Sequence, residues 1–286
     1  MFRFLGHRPL PSQTGIPRVT QALDDFGEPR GTRFAVRVKD GTMSSIALLG
    51  ASGTIGSVLA RRLVAAERSV ILLGRDESKL APLAAELGQP YDVVDWTQSQ
   101  SLEQTLEARI GQGIVLGGIV NCIGSVLLKG AHATSDDEFR ATLETNLFTA
   151  FSAVRAAAKL LRKNGGSVVL FASAAAEIGI ANHEAIAAAK AGIIGLARSA
   201  SATYAQHNIR FNVVSPGLIR TELTRRIWSN PASSAASESM HALKRLGEPE
   251  QVASLVQWLL DPLNDWVTGQ VYGVDGGLGH VMPRRS

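Results

Sequence analysis

From Ser44 onward the chain alternates short apolar runs with helical segments, and that alternation limits its fold more than any other feature. The runs are "SIALLG", "SVILLG", "PYDVV", "IVLGGIVN", "GSVVLFAS", "IRFNVV" and "QVYGVDGG". Between them lie "TIGSVLARRLVAAE", "ESKLAPLAAEL" and "SLEQTLEARI", a long helical stretch over residues 136–161 and another over 186–205. Runs this short and this continuously apolar read as strands buried on both faces. The intervening helices provide the cover. Right-handed crossovers then make a doubly wound parallel α/β sheet, a Rossmann fold in a single domain. No internal repeat is present.

The chain has 286 residues, 45% hydrophobic and 19% charged, enough to bury one substantial core. Its single cysteine, Cys122, excludes a disulfide framework and suits a reducing, cytoplasmic compartment. No histidine stands in HxxxH spacing and no CxxC occurs, so no metal site is expected. The net charge of +4 is unevenly spread, because residues 1–43 hold seven Lys/Arg against four acids. Nucleic-acid binding would need a clustered basic face, and none is expected. No apolar run reaches membrane-spanning length; the nearest, "GIVLGGIVNCIGSVLL", is broken by Gly117, Gly118, Asn121 and Ser125.

Residues 1–43 differ from the rest. "GHRPLPSQTGIPR" carries closely spaced Pro and Gly and no hydrophobic period, so this N-terminal extension reads as loop or disorder. Its first 23 residues contain Arg but no acid, a faint likeness to a transit peptide. The alternative is a mis-assigned start, since Met43 directly precedes the first strand. The folded domain is expected over residues 44–286.

The segment "LLGASGTIGSVLA" sets Gly50, Gly53 and Gly56 between the first strand and the first helix, with Ser52, Thr54 and Ile55 among them. One glycine permits the tight turn, one lets the backbone approach a pyrophosphate, and one lets the helix pack close to the sheet. The helix N-terminus offers unpaired N–H groups and a positive dipole end to an anion. At the end of the second strand, in "LLGRDESKL", an acid would hold the ribose 2′-OH of NAD. Gly74 stands there instead, followed by Arg75, which suits a 2′-phosphate, and by Asp76, one residue too late. NADP(H) is expected ahead of NAD(H).

Ordered motifs along the remainder then resemble the short-chain dehydrogenase/reductase family, over nearly everything from Ser44 to Gly279. "NCIG" resembles that family's Asn-Asn-Ala-Gly and implies cofactor contacts by Asn121, Ile123 and Gly124. "YDVV" supplies Asp92 and Val93 where family members contact adenine. "ETNLFTAF" supplies Asn146, matching a helix asparagine of the family's proton relay, and "VVLFAS" supplies Ser173 at the position of its catalytic serine. "RFNVVSPGLIRTEL" resembles the segment that covers the nicotinamide, implying Pro216, Gly217, Ile219 and Thr221. "RLGEPEQVASLVQWLLD" and "GQVYGVDGG" resemble the family's last helix and strand. The resemblance also implies a homodimer or homotetramer and a small-molecule substrate, covered by a variable loop over residues 221–246. In that loop Ile227, Trp228 and Met240 offer apolar contacts, Arg225 and Arg226 are open to solvent or an anionic tail, and the Ser/Ala-rich middle suggests mobility.

Two features depart from the family. The glycines follow GxxGxxG, as in its longer two-domain branch, although the C-terminus is that of the short branch. More consequential, the family's Tyr-x-x-x-Lys would place tyrosine thirteen residues after Ser173, and Ile186 stands there, four before Lys190. Lys190 keeps the implied role of holding the nicotinamide ribose. Hydride delivered to a carbonyl builds negative charge on oxygen, and isoleucine can neither protonate nor polarise it. The nearest replacement is His183, seven residues before Lys190, where divergent enoyl-thioester reductases of the same superfamily carry a tyrosine. His183 stands at the start of a helix beside Asn182 and Glu184, so capping is equally open to it. Three functions follow: an NADP(H)-dependent carbonyl/alcohol oxidoreductase with a non-tyrosine proton donor, a reductase of an activated C=C bond, or a non-catalytic NADP(H)-binding scaffold.

Overall fold

The computed structural model describes residues 44–96 and 100–282, and the extension read over residues 1–43 lies outside the described residues. The strands are β1 (Ser45–Leu49), β2 (Val70–Gly74), β3 (Tyr91–Val93), β4 (Leu116–Asn121), β5 (Gly166–Phe171), β6 (Ile209–Pro216) and β7 (Val271–Val274). All pair in parallel, in the order β3-β2-β1-β4-β5-β6-β7. The connecting helices are α1 (Thr54–Ala65), α2 (Glu77–Leu87), α3 (Ser101–Gly111), α4 (Asp136–Leu143), α5 (Thr149–Leu160), α6 (Glu184–Tyr204), α7 (Arg225–Trp228), α8 (Pro231–Met240) and α9 (Pro249–Leu260). The chain winds outward from β1 through β2 to β3, then restarts at β4 on the other side of β1. This reversal opens a crevice at the C-terminal ends of β1 and β4, where such sheets bind ligands.

The unbroken apolar strands now have their reason. Ala47 and Leu49 of β1 pack into one core with α3, α5 and α6, through Leu106, Ala153 and Ile193. Ile46 and Leu48 pack into the other with α1, α2 and α9, through Leu59, Leu80 and Val256. Each fully buried Leu or Ile contributes roughly 1.5–3 kcal/mol, so neither face of the sheet tolerates polar residues at these positions.

Two stretches differ from expectation. The long helix read over 136–161 is divided by a π-helical turn, Glu144–Phe148, which separates α4 from α5. Such turns widen a helix locally and often stand at functional sites; here the turn carries Asn146. The Ser/Ala-rich part of the 221–246 loop, expected to be mobile, is the helix α8. Asn230 accepts from the Ser233 N–H at 3.0 Å and Pro231 opens the first turn. This cap-plus-proline start outweighs a composition that reads as loop. Among the described residues no helix is long and apolar enough to cross a membrane.

Candidate active site

The first wall of the crevice is the turn from β1 into α1. Gly50 has φ +75°, a conformation that L side chains rarely adopt. A Cβ on Gly56 would lie 2.3 Å from the Gly50 carbonyl oxygen and 2.9 Å from the Ala51 Cα, both backbone atoms. The helix start at Gly53 has no side-chain cap and no acid in its first turn, so its dipole end is uncompensated. Thr54 has its hydroxyl engaged by the Glu222 N–H at 3.1 Å, which ties this turn to the segment after β6. Ser52 and Ile55 are partly accessible beside it. The cradle fits a pyrophosphate, for it offers free N–H groups and no space for side chains.

At the end of β2, a Cβ on Gly74 would stand 3.5 Å from the Ser52 hydroxyl, so this position adjoins the turn. Arg75 is exposed. Asp76 caps α2, accepting from the Ser78 N–H at 3.1 Å and the Ser78 hydroxyl at 2.6 Å. The Ser78 hydroxyl, with Lys79 nearby, holds its carboxyl below the usual range. That carboxylate therefore serves its own helix. Asp92 is likewise committed: Arg109 donates to both its oxygens, at 2.8 and 2.9 Å, and to the Tyr91 carbonyl. The expected adenine contact would have to share this ion pair, whereas neighbouring Val93 is half exposed.

The second wall is built from β4, β5, the π turn and α6. Asn121 turns its side chain inward, donating to Thr149 at 3.2 Å and accepting from the Ile123 N–H at 3.1 Å, which fixes the course of the chain through Ile123 to Gly124. A Cβ on Gly124 would lie 3.2 Å from Asn146 Oδ1 and 3.5 Å from Lys190 Nζ. These two expected residues thus meet at the third. Asn146 is fully buried; its amide donates to the Thr142 carbonyl and to Ser125 Oγ, both at 2.9 Å, and its oxygen accepts from the Ser125 N–H. Ser125 was not foreseen, and only its place directly after "NCIG" could have signalled it. Lys190 Nζ donates to the Phe171 carbonyl at 3.0 Å, and burial pulls its pKa down to about 8. Ser173 follows β5 and caps a short turn, its Oγ accepting from the Ala175 N–H at 3.2 Å.

Ile186 is 4% exposed and lies one turn before Lys190, on the same face of α6. The place where an acid would act is therefore apolar and closed. His183 stands at the helix start, yet its ring makes no capping bond. Nδ1 instead meets the Ala181 carbonyl at 2.8 Å. A carbonyl only accepts, so Nδ1 carries a proton and Nε2 is the remaining nitrogen. Of the two roles open to His183, the capping bond is thus not made. Cys122 stays inert, because burial pushes its thiol up to about 12.

The segment after β6 closes the crevice. Pro216 ends that strand, Ile219 and Thr221 are buried, and the Thr221 carbonyl accepts from the Trp228 indole at 2.8 Å. Sequence reasoning passed over His241, which bonds this segment, and the contact between His280 and Glu177 (3.0 Å), which ties the C-terminal residues to the turn after Ser173. Lone histidines far apart in sequence carry no spacing signal. Among the described residues no cluster suited to a metal ion occurs.

Comparison with known proteins bears on the whole assembly. A family model described as enoyl-(acyl carrier protein) reductase matches residues 50–279. An uncharacterised oxidoreductase of Mycobacterium tuberculosis (strain ATCC 25618 / H37Rv) is 32% identical, over 86% of this chain and 93% of its own. The 3-oxoacyl-(acyl-carrier-protein) reductase FabG of Vibrio harveyi is 30% identical, over 80% of this chain and 94% of its own. A short-chain type dehydrogenase/reductase from Mycobacterium ulcerans superposes with a TM-score of 0.80 at 29% identity, covering 84% of this chain and 91% of that one.

Proposed function

The chain belongs to the short-chain dehydrogenase/reductase family of oxidoreductases, and on that premise we propose that it moves hydride between NADP(H) and a small carbonyl or alcohol substrate, using a proton donor other than tyrosine. The observation that carries this reading is the meeting of Lys190 and Asn146 at Gly124, across the crevice from an uncapped helix start. A chain without a cofactor has no evident use for a buried amine, held only by a backbone carbonyl and no carboxylate, beside an uncapped helix start.

Bound NADPH supplies the hydride. Lys190, beside Asn121, would hold the nicotinamide ribose, and the glycine turn would receive the pyrophosphate. Ser173 accepts from Ala175 and so keeps its own proton to donate to the substrate oxygen as charge develops there. His183, in its imidazolium form, delivers a proton from Nε2 to that oxygen and is left neutral, to be recharged from solvent. The carbon gains hydride, the oxygen gains a proton, and the balance closes. Preference for NADP(H) is supported by Gly74, by the capping role of Asp76 and by exposed Arg75. The exposed side chains of Phe148 (60%) and Phe151 (46%), three residues apart in one helical stretch, support a homo-oligomer as the working form.

One observation favours a second reading. With Ile186 buried where the acid would stand, a substrate whose carbonyl needs only polarising, and whose carbon solvent can protonate, would need no acid at that place. That describes reduction of an activated C=C bond. The test is incubation with NADPH deuterated at its transferable position and a panel of ketones, aldehydes and enones. Label on a carbinol carbon is expected. Label β to a retained carbonyl would establish the second reading, and tight cofactor binding without transfer would overturn both.

A further inference from the structure

His241 directly follows α8 as its C-cap residue, is 2% exposed, and lies on no motif. Its ring joins two separate stretches. Nδ1 meets the Ser237 carbonyl at 2.7 Å, and Nε2 meets the backbone N–H of Leu218 at 3.2 Å. A carbonyl can only accept and a backbone N–H can only donate, so the ring is neutral with its proton on Nδ1. The fit is close: a Cβ on Gly217 would lie 2.6 Å from Nε2 and 3.0 Å from the Asp275 Cα. Gly217 is therefore glycine because the ring stands against its backbone.

We propose that His241 is a positioning residue, holding residues 216–221 in the shape that receives the cofactor. The segment is bonded at its two ends, where the Gly217 N–H donates to Val274 at 3.1 Å and the Arg220 N–H to Gly247 at 2.9 Å. Between those bonds it borders a cavity of about 420 Å³, shared with His241, Leu246, Val274 and Val281. Between the two end bonds the Leu218 carbonyl accepts from the Gly247 N–H at 3.0 Å and Ile219 is buried, while the imidazole is the acceptor that holds the Leu218 N–H. The polar neighbours have other partners. Asp275 accepts from the N–H groups of Gly277 and Gly279, Glu238 is held by Ser234 and Arg220, and Arg245 donates to Leu246. None of them replaces the ring. An unmade bond at a buried N–H typically costs enough to alter a loop population about tenfold.

The experiment uses the full chain and two variants. His241→Gln keeps an acceptor near the Nε2 position; His241→Asn keeps only a group near Nδ1. Backbone hydrogen exchange over residues 215–222 is read without cofactor, and NADPH affinity by fluorescence titration. In the Asn variant both exchange rate and Kd should rise about tenfold, while the Gln variant stays within about threefold of wild type. Wild-type exchange in the Asn variant, or equal effects in the two variants, would overturn the proposal. Faster exchange with unchanged Kd would overturn the link to the cofactor. This link rests on the function proposed above. If wild type binds neither NADPH nor NADH, that function falls, and the exchange data still decide whether the latch exists.

Discussion

The glycine turn at α1 and the start of α6 lie at the C-terminal ends of the same sheet, yet they are built on opposite principles. At the turn the working atoms are backbone N–H groups, and the constraint is steric: Gly56 leaves 2.3 Å between an added Cβ and a carbonyl oxygen. At α6 the working atoms are side chains on a helix that forms whichever residues it carries. Ile186 occupies the acid's place and the helix runs from Glu184 to Tyr204 regardless. A backbone site can change only by losing its fold, whereas a side-chain site can change its chemistry and keep its fold.

The comparison breaks first, and most severely, at Gly56. Gly56→Val places branched carbons against the Gly50 carbonyl and the Ala51 backbone, which no rotamer avoids. Overpacking of this kind costs about 3 kcal/mol, so the urea midpoint should fall and NADPH binding should disappear with it. A variant of wild-type stability and affinity would show that the turn has slack, and the contrast would lose its first half.

The buried amine of Lys190 provides a nearly equal effect with a defined pH signature. Its pKa is about 8 in the folded chain against an ordinary 10.5. Between those values the unfolded chain holds a proton that the folded one does not, so stability rises with pH from about 8 to about 10.5. Below about 8 both states are protonated and the full penalty, on the order of 3 kcal/mol as an upper bound, is present. Lys190→Met should therefore raise apoprotein stability at pH 7 and flatten that rise, while weakening NADPH binding. Unfolding measured by urea at several pH values checks it. A slope that persists in the variant would assign the titration elsewhere.

His183→Ala comes next. If His183 gives the proton, turnover should fall about 100-fold, near the low end for a general acid, with NADPH affinity unchanged. Equal turnover would remove His183 from the mechanism and shift weight to the C=C reading, in which no acid is needed at oxygen.

These contrasts follow what could be read from the residues. The parallel sheet was legible because Ile46 through Leu49 serve two cores at once, and two-sided burial permits only unbroken apolar runs. The turn between β1 and α1 was legible because Gly50, at φ +75°, and Gly56, with no room for a Cβ, are required there. The π turn at Asn146 left no trace in the hydrophobic pattern, which continues through it. Helix α8 was obscured by composition, though Asn230 and Pro231 announced its start. Asp76 and Asp92 show the limit most clearly. Asp76 stood one residue past the ribose position and Asp92 at the adenine position the resemblance implies, while Ser78 and Arg109, which claim them, become neighbours through the helix cap in one case and across the sheet edge in the other. His183 was open to two roles until the Ala181 carbonyl fixed its Nδ1 proton.

The smallest expected effect concerns the cofactor's 2′ position, where backbone and side-chain principles meet. On the proposed reading Gly74 withholds a carboxylate and Arg75 supplies the charge, so the two can be separated. Arg75→Ala should lower the preference for NADPH over NADH about tenfold, as expected for one charge-assisted contact, with NADH affinity nearly constant. Gly74→Asp would restore an acid at the ribose position and add repulsion, shifting preference further in the same direction. Paired titrations with both cofactors measure the ratio. If Arg75→Ala weakens both equally, the guanidinium serves the adenine or the fold rather than the phosphate, and any discrimination rests on the missing carboxylate at Gly74 alone.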